Sequence, residues 1–285
     1  MATTNFLKME YNSYEVEISI ILSTYNALEW LKKSLAGYEV QTFKNFEIII
    51  ADDGSSDEIK FEIAKYIKDS KMKILHVWHE DKGFRKTIIL NKALLSCKGD
   101  YIIVSDGDCI PRKDFVQVHN SLKEQGCFLS GGYFKLPMDI SYEISIEDIL
   151  NQNCFNIEWL KEKWLKWSFK NSKLTSTGIK STLLNKFTPT NSSWNGHNSS
   201  GWKNDIFKVN GFDERMQYGG EDRELGDRLY NTGIKSKQIR YSAICVHLEH
   251  SRSYVNQEAL EINEEIRRIT KKNRLVLTMF GIRKE

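Results

Sequence analysis

The sequence predicts an α/β fold, in which a mainly parallel sheet is flanked by helices on both faces. Over residues 1–135, short β-branched apolar runs alternate with longer amphipathic stretches, which is typical of βαβ units. The runs are almost continuous in Ile and Val, as expected of strands that helices cover on both faces. The polar clusters that follow the runs indicate a ligand site, because ligands of such sheets bind beyond the carboxyl ends of the strands.

Four strands and three intervening helices are predicted in this half. The strands are 17–23 (EISIILS), 46–52 (FEIIIAD), 72–78 (MKILHVW) and 100–106 (DYIIVSD). The helical stretches are ALEWLKKSLAGYEVQ, SDEIKFEIAKYIKDS and FRKTIILNKALLSC, and Ser56 or Asp57 is the expected N-cap of the second. We expect the clusters STYN, DDGSSD, EDKGFRK and SDGD to converge on one edge of the sheet.

The second half has a different pattern. The stretch IEWLKEKWLKWSF predicts a helix, and the Ser-, Thr- and Asn-rich segment after it predicts long loops up to residue 200. A short helix in NDIFKVNGFDERM, a helix in GGEDRELGDRLYNTG and a strand in IRYSAICVHLEHS follow. The predicted division is 1–135 and 136–254 as two halves of one domain, with 255–285 as a helical tail docked on the core.

Composition excludes several classes of protein. The net charge is +3, with 41 basic against 38 acidic residues, so the overall field gives no reason to expect nucleic acid as a partner. No apolar run approaches the roughly 20 residues of a membrane-spanning helix, and the polar N-terminus does not resemble a signal peptide. Five cysteines without close pairs argue against a disulfide framework. We therefore expect a cytoplasmic location, with Cys109 packing rather than acting as a nucleophile.

Asp106 and Asp108, in YIIVSDGDC, are placed at the end of a strand. Two carboxylates that enter a crevice side by side repel each other unless a cation or hydrogen-bond donors neutralise them. A hard divalent ion such as Mg²⁺ or Mn²⁺ does so and takes phosphate oxygens as further ligands. The pair thus indicates a metal and diphosphate site, although acidic turns after strands are also common without one.

Other clusters support this interpretation, and each has a structural alternative. DDGSSD supplies carboxylates for a base or ribose, although Asp57 would also serve as a helix cap. KGFRK supplies cations for a phosphate, although its Arg85 would equally suit a solvated surface. His250 would complete a metal shell better suited to Mn²⁺ than to Ca²⁺, while His247 would suit a hydrogen-bonded strand position.

The cluster GGEDRE places Glu221 and Asp222 side by side near the start of a helix. Acidic residues favour that end of the helix dipole, so the cluster needs no functional explanation. The functional alternative is a general base, in which a carboxylate near an acceptor hydroxyl removes its proton as the oxygen attacks. The cluster alone does not decide between the two.

Taken in order, the chain resembles the family 2 glycosyltransferases of the GT-A fold. Its later half resembles the galactosyltransferase-type carboxyl region of chondroitin-polymerase-like enzymes. The resemblance runs from about residue 17 to about residue 255 and leaves the tail unassigned. It is carried by IILSTYNALEWLKKSL, IIIADDGSSD, EDKGFRKTIILNKAL, YIIVSDGDCIPR, VNGFDERMQYGGEDRELGDRL and CVHLEHSR. In LSTYN, Ser23 stands where a proline commonly precedes the threonine, which would change only the local turn.

The resemblance implies an inverting glycosyltransferase with a nucleoside-diphosphate sugar donor, UDP-sugar by expectation, and Mn²⁺ or Mg²⁺. It implies that Asp222 is the catalytic base and that Glu221 grips hydroxyls of donor or acceptor. Asp108 would be the main metal ligand, with Asp106 on metal or ribose and His250 favoured over His247 by the H-x-x-H pattern. The nucleoside pocket would be formed by Thr24, Tyr25, Asp52 and Asp53, with Arg85 and Lys86 toward ribose or phosphate.

The acceptor expected from the resemblance is a glycan or lipid-linked glycan in polysaccharide or surface-glycan biosynthesis. Tryptophans of the 155–202 region would stack on acceptor sugars, where helical spacing favours core packing for Trp159 and Trp164 and leaves Trp202 as the residue expected at the site. A basic tail, with RRITKKNR on one face, is a possible peripheral contact with the inner face of a membrane.

Three other functions stay open on the residues alone. A phosphatase with an aspartate nucleophile also uses a strand that ends in D-x-D, although normally the first strand. A metal-dependent nucleotidyltransferase shares the α/β plan, but a glycine-rich basic loop near the first strand is missing. A non-catalytic carbohydrate-binding module would need no base, and GGED argues mildly against it.

Overall fold

The computed structural model of the chain describes residues 16–250 and 256–284. The predicted boundary between the second half and the tail therefore lies outside the described residues. The strands are β1 Ile18–Thr24, β2 Phe46–Asp52, β3 Ile74–Trp78, β4 Tyr101–Asp106, β5 Cys109–Pro111, β6 Cys127–Ser130, β7 Gly132–Lys135, β8 Ser199–Trp202, β9 Lys235–Gln238 and β10 Ile244–His247.

The α-helices are α1 Leu28–Glu39, α2 Asp57–Asp69, α3 Lys86–Ser96, α4 Phe115–Leu122, α5 Met138–Glu143, α6 Ile146–Leu150, α7 Ile157–Glu162, α8 Ser172–Thr175, α9 Gly178–Phe187, α10 Lys203–Lys208, α11 Glu221–Asn231 and α12 Gln257–Lys272. Short 3₁₀ turns cover Asn153–Phe155 and Phe169–Asn171. No helix in these two described stretches is both long and apolar enough to cross a bilayer.

A seven-stranded sheet in the order β3-β2-β1-β4-β8-β6-β9 forms the centre of the protein. Strands β3, β2, β1 and β4 are parallel, and β8 joins β4 and β6 in antiparallel orientation, so the predicted mainly parallel α/β sheet is confirmed. A small sheet, β5-β10-β7, lies beside it. Strands of the second predicted half thus extend the sheet of the first.

Helices cover both faces of the large sheet because its central strands are apolar on both sides. Ile18, Ile20 and Leu22 of β1 pack toward α1, α2 and α4, while Ile21 packs with α3, α10 and α11 on the opposite face. Full burial of such a side chain contributes about 1.5–3 kcal/mol. Ser56 caps α2 by accepting from the backbone N–H of Ile59, which confirms the first of the two expected caps.

Residues 138–187 form an insert of short helices, and here the sequence predictions were partly wrong. The predicted Trp-rich helix ends at Glu162, because Trp164 takes a left-handed backbone conformation with φ of 65°. Conversely, the segment predicted as loops contains α8 and α9. The apolar residues of α9 recur every four positions but are diluted by Ser, Thr and Lys, which hid the helical period.

The C-terminal end differs from the prediction at one strand and agrees at the tail. Strand β10 stops at His247, so His250 lies beyond the strand on which it was expected. The tail forms α12, which packs on α11. Asn263 donates to the carbonyls of Tyr218 and Gly219, and Arg267 pairs with Asp227 of α11. These contacts hold the segment before α11 in place.

Candidate functional site

A cleft of ≈ 2760 Å³ opens at the carboxyl ends of β1 and β4 and reaches to the insert. The predicted convergence is confirmed, because each of the four polar clusters STYN, DDGSSD, EDKGFRK and SDGD contributes residues to this cleft. The cleft is lined by the predicted site residues Thr24, Tyr25, Asp53, Lys86, Asp106, Asp108, Glu221, Asp222 and His250, and also by His247.

Asp53 is held at one end of the cleft by two donors. Its carboxylate accepts from the backbone N–H of Arg85 at 2.9 Å and lies 2.8 Å from Nε2 of His79. Burial raises the pKa of Asp53, although both contacts favour its ionised form. Tyr25 lies nearby, half exposed, and its hydroxyl donates to Asp81. This end offers a carboxylate and an aromatic ring, the groups expected to hold a nucleoside.

Two residues predicted for this end lie elsewhere. Asp52 is fully buried, where its carboxylate accepts from the backbone N–H of Ser55 and contacts His76 at 2.9 Å, so it shapes the turn after β2. The guanidinium of Arg85 donates to the carbonyl of Glu80, and Arg85 is not among the residues that line the cleft. The expectation that both side chains contact the ligand is thus not supported by the structure.

Asp106 lies between two donors at the end of β4. Its Oδ1 accepts from Ser23 Oγ and from Lys86 Nζ, both at 2.7 Å. Burial opposes ionisation of Asp106, but the Lys86 ammonium outweighs it and, with the Ser23 bond, holds the pKa well below its usual range. Asp106 is therefore an ionised carboxylate whose charge is already largely matched.

The carboxylate of Asp108 lies close to the imidazole rings of two histidines. Its Oδ2 lies 2.9 Å from Nε2 of His250 and 3.5 Å from Nε2 of His247, and one ligand atom from each of the three residues falls within 4.8 Å of the others. Nδ1 of His247 is buried, and no residue in the described part of the chain makes a hydrogen bond to it. Carboxylate with imidazole suits Mn²⁺ or another transition ion better than Ca²⁺. The donor set fits a divalent metal, and His247 lies beside Asp108 as well as His250.

Cys109, next to this group, is fully buried, and burial raises the pKa of its thiol well above the usual value. A protonated, buried thiol is a poor nucleophile. The expectation that Cys109 packs is therefore confirmed.

Glu221 and Asp222 begin α11, directly after two glycines with positive φ, Gly219 and Gly220. Asp222 Oδ2 accepts from the backbone N–H of Gly196 at 2.8 Å, and Glu221 Oε2 accepts from that of Gly219 at 2.9 Å. Burial raises the pKa of Glu221 to about 7, and the charge of Asp222 adds to this rise. Burial raises the pKa of Asp222 as well.

Gly196 lies close to the carboxylates of both Asp106 and Asp222, and it was not among the site residues predicted from the sequence. A Cβ placed on Gly196 would lie 3.4 Å from Nζ of Lys86 and 3.9 Å from Oδ2 of Asp222. The same Cβ would lie 3.8 Å from Oδ1 of Asp106. The ammonium of Lys86 and the carboxylates of Asp106 and Asp222 therefore lie around Gly196, in the loop before β8.

His197 follows Gly196 and was also missed. Its ring meets that of Tyr133 edge to face, with centroids 4.5 Å apart, and it lines the cleft. Burial lowers the pKa of His197 to about 4, although Asp106 acts in the opposite direction, so the imidazole is neutral at pH 7. The only signal in the sequence was a histidine beside a glycine, NGHNSSG, in a segment predicted to form loops.

Among the tryptophans, only Trp159 follows the prediction. Trp202 lies outside the cleft, because its indole N–H donates to the carbonyl of Glu124 and its ring packs against Tyr101. Trp194 is fully buried in the core. Trp159 packs against the core of the insert as expected, whereas Trp164 is exposed and lines the cleft.

Comparisons with known proteins agree with this architecture. Residues 19–128 match the family model described as glycosyl transferase family 2, and residues 183–251 match that described as the N-terminal domain of galactosyltransferase. The chain is 27% identical to the chondroitin synthase of Escherichia coli over 246 residues, which cover 81% of this chain and 34% of that protein. It thus spans about a third of that relative.

Two solved structures share the fold at low sequence identity. A mannosyltransferase from Pyrobaculum calidifontis, in complex with GDP-Man and Mn²⁺, has a TM-score of 0.56 at 14% identity over 85% of this chain and 59% of its own. TarS 1-349 of S. aureus, in complex with UDP-GlcNAc, has a TM-score of 0.60 at 13% identity over 90% of this chain and 69% of its own. The chain therefore has a GT-A fold, with one region that matches the family 2 glycosyltransferases and a later region that matches the galactosyltransferase model.

Proposed function

We propose that the protein is an inverting glycosyltransferase that moves a sugar from a nucleoside-diphosphate donor, UDP-sugar by preference, to a hydroxyl of an acceptor. The observation that carries the proposal is the meeting of Lys86, Asp106 and Asp222 around Gly196. This arrangement supports the proposal, because the carboxylate that would act as general base lies in the same cleft as the side chains that would hold a metal.

The donor would bind with its nucleoside beside Thr24, Tyr25 and Asp53. Asp53 would accept from the base or ribose, because two protein donors already fix its carboxylate in place. The solved complexes with UDP-GlcNAc and GDP-Man support a nucleotide-sugar donor and leave the base open. UDP is our preference from the sequence resemblance.

Asp108, His247 and His250 would hold Mn²⁺, or Mg²⁺ with more retained water. When bound, the ion would stabilise negative charge on the diphosphate leaving group. Lys86 would contribute a fixed positive charge on the same side, since the carboxylates around it hold its pKa above the usual value despite burial. Asp106 would orient Lys86 and contact ribose or metal.

Asp222 would act as the base. Its Oδ2 is fixed by Gly196 N–H, and the raised pKa makes it a better proton acceptor than an exposed aspartate. As Asp222 removes its proton, the acceptor oxygen would bond to the anomeric carbon on the face opposite the diphosphate, while the bond from that carbon to the diphosphate oxygen breaks, and this gives inversion. Glu221 would bind hydroxyls of donor or acceptor and carry a proton at neutral pH for part of the time.

The acceptor is proposed to be a glycan or a lipid-linked glycan. Residues of the insert line part of the cleft, and this is the region in which the acceptor would be chosen. A phosphatase with Asp106 as its nucleophile is not favoured, because three strands precede β4 whereas such a nucleophile normally follows the first strand.

The test is a thermal-shift panel of nucleoside diphosphates with and without Mn²⁺ on wild type, Asp108→Ala and the exposed control Asp69→Ala. A ligand at a hundredfold its Kd stabilises the native state by about 2.7 kcal/mol. We expect one diphosphate to raise the midpoint only with Mn²⁺, in wild type and control but not in Asp108→Ala. The absence of any shift in wild type would contradict a donor site.

A further inference from the structure

Three large aromatic side chains are exposed within six residues of the insert. Trp164 is 86%, Trp167 73% and Phe169 83% exposed, and the last two rings contact each other with centroids 4.9 Å apart. Proteins that act alone in water seldom leave such a group of rings uncovered. The cluster therefore indicates a surface that is covered by a partner.

Helix α9, in the same insert, exposes its apolar side. Ile179, Leu183 and Phe187 recur every four residues on one face of the helix, and all three are exposed. Ser181 is buried against the protein instead. An amphipathic helix on a core normally has the reverse orientation, so the apolar stripe of α9 is arranged to contact something outside the protein.

The charge of this segment is strongly one-sided. Residues 163–187 contain no acidic residue, and the six lysines in this stretch give it a charge of +6 although the whole chain is only +3. Among the residues that the structure describes, only Lys163 of these six has a carboxylate at ion-pair distance, while Lys173 donates to the carbonyl of Tyr133 and Lys186 lies over the ring of Phe187. The exposed apolar groups are thus surrounded by uncompensated positive charge.

We propose that this surface, which we call the insert surface (Trp164, Trp167, Phe169, Ile179, Leu183, Phe187 and the six lysines), docks on an anionic lipid bilayer. Trp and Phe prefer the boundary between headgroups and acyl chains, while lysines attract anionic lipids and extend their ammonium groups to the water side. Ile179 and Leu183 present no ring face on which a sugar could stack. The composition therefore favours a lipid surface over a glycan.

Docking through the insert surface would bring the mouth of the cleft to the membrane. Trp164, Lys166 and Lys170 belong to this surface and also line the cleft. The C-terminal tail was the part of the chain expected to make this contact. Its helix α12, however, buries Asn263, Ile266 and Thr270 against the protein, and its Arg267 is paired with Asp227.

The test is sedimentation of the full chain with vesicles of phosphatidylcholine alone or mixed with phosphatidylglycerol. We compare wild type with an aromatic variant, Trp164→Ser/Trp167→Ser/Phe169→Ser, and a helix variant, Ile179→Ser/Leu183→Ser/Phe187→Ser. The control, Val276→Ser/Leu277→Ser, removes apolar side chains that are also exposed, but from the tail. Thermal midpoints of all variants establish that each one is folded.

We expect wild type to sediment with phosphatidylglycerol vesicles and much less with phosphatidylcholine alone. Each insert variant should lose about tenfold or more in partition coefficient, and the tail control should match wild type. Failure of wild type to bind, or an equal loss in the tail control, would overturn the inference. So would a wild-type dimer that the insert variants dissociate in the absence of vesicle binding, because the surface would then contact protein.

Discussion

Nζ of Lys86 lies 2.7 Å from Oδ1 of Asp106 and donates to it, at the point where α3 begins and β4 ends. Each group explains the charge state of the other. Burial favours the neutral form of each side chain. Their mutual attraction outweighs this effect and keeps the pKa of Asp106 below, and that of Lys86 above, the usual values. The ion pair is thus a fixed dipole beside the groups that would bind a metal and a diphosphate.

Replacement of this lysine, Lys86→Met, should lower the free energy of unfolding by about 2 kcal/mol at pH 7, because it leaves a largely buried carboxylate without its cation. The folded pKa of Asp106 lies below 3.8, so the stabilisation exists above that pH and is lost as the pH falls through the folded pKa. Urea denaturation at pH 7 and near pH 2 measures both effects. The exposed pair Lys82–Glu80 supplies the control Lys82→Met, and equal midpoints of Lys86→Met and wild type at pH 7 would contradict the prediction.

Asp222→Asn should leave fold and nucleotide binding intact but reduce sugar transfer about 10²–10⁴-fold, the usual contribution of a general base. The amide oxygen can still accept from Gly196 N–H, so the geometry is retained while basicity is lost. Transfer rates and nucleotide affinity are measured separately. Asp227→Asn, on the same helix but outside the cleft, is the matched control. Transfer within a fewfold of wild type would exclude Asp222 as the base.

Glu221→Gln should stabilise the protein at pH 8 but not at pH 5. The folded pKa of Glu221, about 7, exceeds its ordinary 4.5, so the folded state binds a proton between these values and loses stability as the pH rises through 7. The gain at pH 8 is at most about 3 kcal/mol. Urea midpoints at both pH values, with the exposed Glu261→Gln as control, check this. A gain that is the same at both pH values would refute the assignment.

Both histidines beside Asp108 should contribute to metal affinity. His247→Ala and His250→Ala should each weaken Mn²⁺ binding by at least about tenfold, as expected when a ligand of a three-residue donor set is removed. Titration of free Mn²⁺ followed by electron paramagnetic resonance measures the Kd directly. His76→Gln, which alters a histidine bonded to Asp52 outside the cleft, should leave it unchanged. A loss in only one of the two variants would reduce the site to a single histidine.

The sequence by itself determined the sheet, the helices around it and the edge of the sheet at which the candidate site lies. Apolar runs such as FEIIIAD indicate strands that are buried on both faces. Because the carboxyl ends of parallel strands lie at one edge of a sheet, Thr24, Asp53, Asp106 and Asp108 could be placed at that edge without a structure. The start of α11 at Glu221 and Asp222 could also be predicted, because the preference for acidic residues at the N-terminus of a helix is a local effect.

Only the tertiary structure decided which of these groups meet. Asp52 and Asp53 are adjacent in the sequence. The carboxylate of Asp52 is bonded to Ser55 and His76, whereas that of Asp53 contacts His79 and lines the cleft. Gly196 joins Asp222 to Asp106 from a loop whose sequence shows no periodicity, and Trp202 turns away to bind Glu124. The spacing of apolar residues in a sequence indicates which face of a single helix or strand is buried. The direction of a side chain at the end of an element depends on its neighbours from elsewhere in the chain, and these are set only when the elements pack.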